Sequence, residues 1–315
     1  MADHLVTPAA ERRPSARRVR ALSDPMANYG GQMPQPTTET DSGPAHMKPR
    51  ALILDLFGDY LRYAGGEAKA GDLVTLLGAF GIEPTTVRMT LTRLRREHWF
   101  TTRREGREAS YVLSAHMLGV LQSGRERIFA EYDEPWDQLW TTVVQQSTKP
   151  ERSAREQLRR QLSWLGFGSL TASTWMTPRD RGSEVRALAA DFPDVHFTVM
   201  RAQAGDPEVD RDIVARCWDL DWINQMYERF LADNTHLASG ADLHGADALV
   251  ARTSLIASYR HYPFLDPWLP KDLRPHAWLG AEANHLFRSV HRQLGPAATA
   301  FVSEVVGRPI ESPQQ

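Results

Sequence analysis

The chain has 315 residues, 42% apolar and 24% charged, with a formal net charge of −2. That balance belongs to a soluble globular protein with room for two or three cores, and no apolar run nears the ~20 residues that span a bilayer. Cys217 is the only cysteine, which excludes an intrachain disulfide and any multi-cysteine zinc site and fits a reducing, cytoplasmic setting.

Residues 1–46 are rich in Pro, Gly, Ser, Thr and Arg, show no period and read as a disordered tail. The amino-terminal MADHLVTPAAERRPSARRVR lacks the apolar centre of a secretory leader. Its arginines Arg12, Arg13, Arg17, Arg18 and Arg20 fit either a flexible arm on a DNA backbone or a plain solvated tail, with Met47 as an alternative start. Residues 48–64 then predict an amphipathic helix. Leu52, Leu56, Tyr60 and Tyr63 repeat at helical spacing, Ile53 and Phe57 widen the stripe, and Gly65-Gly66 ends it. Asp72–Phe80 predicts a shorter helix through Leu73, Leu76 and Leu77, and Gly81-Ile82-Glu83-Pro84 a tight turn.

From Pro84, which suits the first helical position, Val87, Leu91, Leu94 and His98 mark one helical face. Thr85, Met89, Arg93 and Arg96 project to the other, flanked by Thr86 and Thr92, with Arg88 and Arg95 near the borders. After Trp99 the period changes. Phe100–Arg103 and Ala109–Leu113 read as strands around Arg104-Glu105-Gly106-Arg107. Between Pro84 and Arg107 stand seven arginines and two glutamates, a net +5 in a chain of net −2. A small, polar, cationic helix face beside a basic hairpin is what a major groove requires: guanidiniums that fork onto guanine or phosphate, and short hydroxyls that permit close approach. Residues 47–114 are therefore expected to form a winged helix-turn-helix. Arg93 and Arg96, with Thr85, Met89 and Thr92, are expected in the groove. Arg88 and Arg95 are assigned to phosphate or to bracing acids, and Arg103, Arg104 and Arg107 to backbone or a minor groove. The competing reading is a solvated amphipathic helix beside an ordinary hairpin.

A helix over 115–131, broken at Asp133-Glu134-Pro135, connects onward. Residues 133–205 predict the order β-α-β(β)-α-β of a ferredoxin-like domain. Its elements are a strand at Leu139–Val144, a helix at Ser153–Leu165 capped by Ser153, and a turn at Gly166-Phe167-Gly168. A strand or tight hairpin at Leu170–Met176, a helix at Ser183–Phe192 and a strand at Val195–Met200 follow. Residues 206–306 predict a helical domain: Asp210–Asn234, Asp247–Tyr262, Glu282–Leu294 and Pro296–Val306, with Pro263–Pro275 too proline-rich for helix. Residues 307–315 read as a second disordered tail. The fold class is thus α+β, in three domains.

Several of these stretches have a family likeness. Gly65-Gly66-Glu67, Val87-Arg88, Leu91, Arg93-Leu94, Trp99, and Gly106-Arg107 before Ser110-Tyr111 resemble the amino-terminal domain of the PaaX family, the phenylacetic acid degradation repressors. Trp136-Asp137 and LRRQLSWLGFGSL resemble its middle domain; Asp266-Pro267-Trp268-Leu269-Pro270, Leu273-Arg274-Pro275 and Trp278-Leu279-Gly280 resemble its carboxy-terminal domain. Together they cover about residues 50–303. The expected protein is a dimeric repressor whose two recognition helices read a pseudo-palindromic operator, and the resemblance implies release by an aryl-CoA thioester, typically phenylacetyl-CoA. Such a ligand needs cations for its phosphates and an apolar slot; Trp164, Phe167, Arg260, Tyr262 and Arg274 are candidates that could equally be structural. The family's middle domain is similar to small CRISPR-adaptation nucleases that hold a metal on an aspartate after the first strand. Val143-Val144-Gln145-Gln146-Ser147 offers no carboxylate there, so nuclease chemistry is not expected.

Other constellations are weaker. His285 and His291 lie six apart, off a shared helical face, and no HExxH is present, so no metal site is expected. Gly166-Phe167-Gly168 lacks the third glycine of a dinucleotide fingerprint, and there is no Gly-x-Ser-x-Gly elbow. Cys217 reads as inert packing. No cofactor and no catalytic group are expected. The rival readings are a CoA-thioester-handling enzyme that uses its helix-turn-helix for protein interaction, and a pure dimerisation scaffold.

Overall fold

The structure is a computed structural model that describes residues 47–105, 108–130, 135–147, 152–239 and 242–311. Helix α1, Pro49–Asp59, opens on a proline whose fixed φ suits the first turn. It buries Leu52, Ile53, Leu54, Leu56 and Phe57, more than one stripe, because neighbours cover it on several sides. The expected helix to residue 64 stops at Asp59 and tightens into a 3-10 turn, Leu61–Tyr63. There Gly65 and Gly66, at φ 84° and 70°, redirect the chain into β1, Glu67–Lys69. Three residues are too few to show a period, and this strand has no sequence signal.

Helix α2, Ala70–Gly78, buries Leu73, Leu76 and Leu77. Asp72 Oδ2 accepts the Lys69 amide at 3.3 Å at its start. Gly81, at φ 75°, makes the turn to α3, Pro84–Arg96; a side chain there would strain the left-handed backbone. Strands β2, Phe100–Glu105, and β3, Glu108–Leu113, pair antiparallel, and β1 pairs with β3 to give the order β1-β3-β2. Ser114 Oγ accepts the Met117 amide at 3.2 Å and caps α4, Ala115–Ile128. Of the expected helix breaker only Pro135 lies among the described residues.

A second sheet follows. Its elements are β4, Trp140–Ser147; α5, Arg152–Trp164; β5, Gly168–Thr171; β6, Thr174–Thr177; α6, Gly182–Ala189; and β7, Val195–Ala202. The strand order is β5-β6-β4-β7 and each neighbouring pair is antiparallel. Ser153 lies inside α5 and is not its cap, since the helix already includes Arg152. On one face Val143 and Trp175 pack with Leu158 and Leu162 of α5 and Val185 of α6. On the other Trp140 and Met176 meet Ile213 and Val214 of α7, Pro207–Cys217. Both faces of β4 are covered, so Trp140, Thr141 and Val143 are all buried. Gly168 lies directly against α7: a Cβ there would stand 2.5 Å from Cys217 Cβ.

The single helix expected over Asp210–Asn234 is two, α7 and α8, Leu220–Asn234. Trp218 is extended, and Asp219 Oδ1 accepts the Trp222 amide at 3.0 Å as a new N-cap. Helix α9 is Gly245–Tyr259. The proline-rich stretch after it holds a short helix α10, Tyr262–Leu265, and a 3-10 turn, Lys271–Leu273, where no helix was expected. The two last helices expected are one, α11, Gly280–Val306, with Pro296 inside. Buried Val290, Leu294, Ala298 and Val302 continue across the proline, so packing holds the helix together there.

The amino-terminal and carboxy-terminal helices share a core. Leu52, Leu56, Val87, Leu91 and Phe100 belong to one buried cluster with Ala248, Leu249, Ala298 and Val302. The expected carboxy-terminal tail is tied down through residue 311: Arg308 donates to the Glu67 carbonyl and Ile310 is buried in that cluster. Around Asp59 of α1 a buried ionic cluster joins the same elements. His291 Nε2 lies 3.1 Å, Arg252 Nη1 2.9 Å and Arg125 Nη1 3.5 Å from its carboxylate. Arg260 meets Asp55 at 2.6 Å. The expected tail at 1–46, and residues 312–315, lie outside the described residues.

Candidate nucleic-acid interface

On α3, Val87, Leu91 and Leu94 are buried against α1 and α2, which turns the opposite face to solvent. Thr85, Arg88, Met89, Arg93, Arg95 and Arg96 are exposed, Met89 to 67%; Thr86 and Thr92 are partly buried. The hydroxyl of Thr92 donates to the Arg88 carbonyl at 2.9 Å. His98 does not continue the buried face. The helix has ended, and His98 is exposed in a left-handed turn at φ 63°. Trp99 and Phe100 then return to the core.

Two of the arginines are braced by the protein's own acids. Arg93 Nε lies 2.9 Å from Glu97 Oε1, and Arg103 Nη2 2.9 Å from Glu67 Oε1. Of the two roles open to Arg88 and Arg95, phosphate or bracing acids, bracing is not seen among the described residues. Helix spacing decides the difference: Glu97 is four residues after Arg93 and already held by Arg50 at 2.6 Å, whereas no acid lies one turn from Arg88 or Arg95 toward solvent. Arg88, Arg95, Arg96 and Arg104 are exposed and make no ion pair or hydrogen bond with another described residue. Arg107 lies outside the described residues. The cationic face is therefore open over most of its length, with the hairpin beside it.

Three regions of the chain match the signatures of PaaX-like proteins: residues 48–117 match the PaaX-like protein, 133–214 the PaaX protein central Cas2-like domain, and 218–304 the PaaX-like protein C-terminal domain. The chain is also 32% identical over 263 residues to the transcriptional repressor PaaX of Escherichia coli, covering 81% of this chain and 83% of that one. The chain belongs to the PaaX family. As a member it is a transcriptional regulator rather than an enzyme. Among solved structures, the uncharacterized protein Rv0674 from Mycobacterium tuberculosis is similar at a TM-score of 0.56 and 25% identity, covering 81% of this chain and 98% of that one.

The five effector candidates do not converge. Arg260 is buried against Asp55, and Tyr262 sits in an aromatic cluster with Tyr227, Phe230 and Tyr259. Arg274 Nε donates to the Leu269 carbonyl at 2.6 Å. Trp164 stacks on Phe264 at 4.4 Å. Only Phe167 lines the cavity of about 630 Å³ between the second sheet and the carboxy-terminal helices. Arg152, Trp175 and Phe264 line it too, and sequence reasoning missed them. One signal was available: Arg152, Arg155 and Arg159 recur at helical spacing, flanking the stripe of Leu158 and Leu162. Burial pushes the Cys217 thiol up to about 12, so it is no nucleophile at neutral pH. Among the described residues no three His, Cys, Asp or Glu side chains converge to hold a metal, and no helix is long and apolar enough to cross a membrane.

Proposed function

We propose that this PaaX-family regulator is a cytoplasmic repressor that binds operator DNA as a homodimer through a winged helix-turn-helix. In this reading α2 and α3 form the helix-turn-helix, β2 and β3 the wing, residues 133–205 a ferredoxin-like middle domain and the remaining helices a carboxy-terminal domain. The open face of α3 carries the reading. Arg96 enters the major groove with Thr85, Met89, Thr92 and Arg93; the ion pair of Arg93 with Glu97 is exposed and weak enough to exchange for a guanine. Arg88, Arg95 and Arg104 grip phosphates, and so does Arg103 once released from Glu67. A two-fold dimer would place two such helices on half-sites of a pseudo-palindrome. The likeness to a transcriptional repressor supports repression. The controlled genes are those of phenylacetate or related aromatic catabolism, and an aryl-CoA such as phenylacetyl-CoA releases the protein.

Gel-shift titration and footprinting on the DNA upstream of the protein's own gene test this. A protected pseudo-palindrome is expected, with affinity falling steeply as salt rises. Salt-independent binding, or none, would sink the reading.

A further inference from the structure

We propose that the cavity between the second sheet and the carboxy-terminal helices is the effector site, and that Arg127 of α4 transmits its occupancy to the DNA-binding face. This rests on the regulator reading above. The volume, about 630 Å³, suits a small organic ligand. Phe167, Trp175, Trp222 and Phe264 give it flat apolar walls, and Arg152, Arg155 and Arg159 of α5 line it with cations. Glu156 sits among them and holds Arg159 at 2.7 Å, so an incoming anion competes with one exposed carboxylate. The ligand chemistry is thus a flat apolar end and an anionic end.

The walls of this cavity are joined by one side chain from outside it. Phe264, on the lining, stacks on Trp164 at the end of α5 with ring planes 16° apart. The Arg127 guanidinium lies over both rings, 5.4 Å from Trp164 and 5.1 Å from Phe264. Its Nε donates to the Pro263 carbonyl at 2.7 Å and its Nη1 to the Trp164 carbonyl. Arg127 lies in the last turn of α4, and only Ser114 separates α4 from β3 of the hairpin. A ligand that shifts Phe264 away from Trp164 breaks this clamp and frees the far end of the helix that carries the hairpin. Release then follows from tighter ligand binding to the unclamped state.

Calorimetry and gel-shift release on the full chain test both halves, with phenylacetyl-CoA as probe and free CoA and phenylacetate as comparisons. The double variant Arg152→Ala/Arg159→Ala, both at exposed positions, is expected to bind phenylacetyl-CoA at least tenfold more weakly while its ligand-free DNA affinity stays unchanged. Arg127→Met is expected to bind the probe within threefold of wild type but to need at least tenfold more of it for release. Trp164→Leu, in the clamp but off the cavity lining, serves the same purpose if Arg127→Met unfolds. Binding by wild type that the double variant retains undiminished overturns the site. Parallel loss of binding and release in both clamp variants overturns the transmission. DNA binding without any heat from phenylacetyl-CoA overturns this proposal and leaves the regulator reading standing; failure to bind DNA overturns the regulator reading itself.

Discussion

The arginines of α3 and the hairpin differ in how they are held, and this separates their roles. Arg93 is 75% exposed and paired with Glu97, a contact worth little in water. Arg96 has no such partner among the described residues and points from the last turn of α3. Arg96→Ala is expected to cost about 1–3 kcal/mol of operator affinity and to flatten sequence preference, read by competition gel shifts against mutated operators. Arg104 stands on β2, away from the helix. Arg104→Ala should weaken binding to all sequences alike and lower the slope of log affinity against log salt by about 1. Equal behaviour of the two variants would show that the helix does not read bases.

Two elements hold together against local preference. Gly168 lets β5 approach α7, where a Cβ would stand 2.5 Å from Cys217 Cβ and 2.6 Å from the Trp218 ring. Cys217 Cβ is anchored to its own backbone and cannot swing away. Gly168→Ala is therefore expected to destabilise by about 1–3 kcal/mol, seen as a lower urea midpoint at unchanged slope. Pro296 works the opposite way. Inside α11 it removes the amide that the Arg292 carbonyl would accept, and it is exposed, so little packing is lost with it. Pro296→Ala should stabilise, by up to about 3 kcal/mol, in the same measurement. No gain would mean that the missing hydrogen bond costs α11 nothing at this position.

At the scale of the whole molecule, the amino-terminal helices are not a separate module. The cluster on Asp59 ties α1 to α4, α9 and α11. Burial would raise this carboxyl, but His291, Arg252 and Arg125 together hold it below the ordinary range. Its contribution is present above the ordinary carboxylate value and is lost only at strongly acid pH. Asp59→Ala leaves Arg252 buried without its counter-charge and is expected to cost about 3–5 kcal/mol in chemical denaturation. Asp266 titrates the other way. Burial pushes it up to about 7, against the amide of Trp268 and the guanidiniums of Arg274 and Arg127. Between about pH 4 and 7 the folded state keeps a proton that the unfolded chain has released, so stability falls as pH rises through that window and is level above it. Denaturation midpoints of wild type and Asp266→Asn across that range are expected to converge at high pH differently from low pH: the wild-type advantage shrinks as pH climbs. Parallel curves would mean that the carboxyl is not raised.

Repeating spacing made the long amphipathic pieces legible: Val87, Leu91 and Leu94 on α3, Leu158 and Leu162 on α5, and the strands on either side of the basic turn. The arginine face was legible for the same reason, since a helix that buries three leucine-like residues must turn its remaining positions to water. What stayed hidden needed partners far along the chain. β1 has three residues and exists only because β3 pairs with it. α11 survives Pro296 only because other helices cover both of its halves. Arg260, a candidate for an effector phosphate that could equally be structural, is spent on Asp55, 205 positions away. The sequence alone determined which residues bury an apolar face and where positive charge collects, because both are local sums along one chain. The tertiary structure decided which cations remain free and which aromatics enclose a cavity, because burial and charge pairing depend on neighbours that no local pattern encodes.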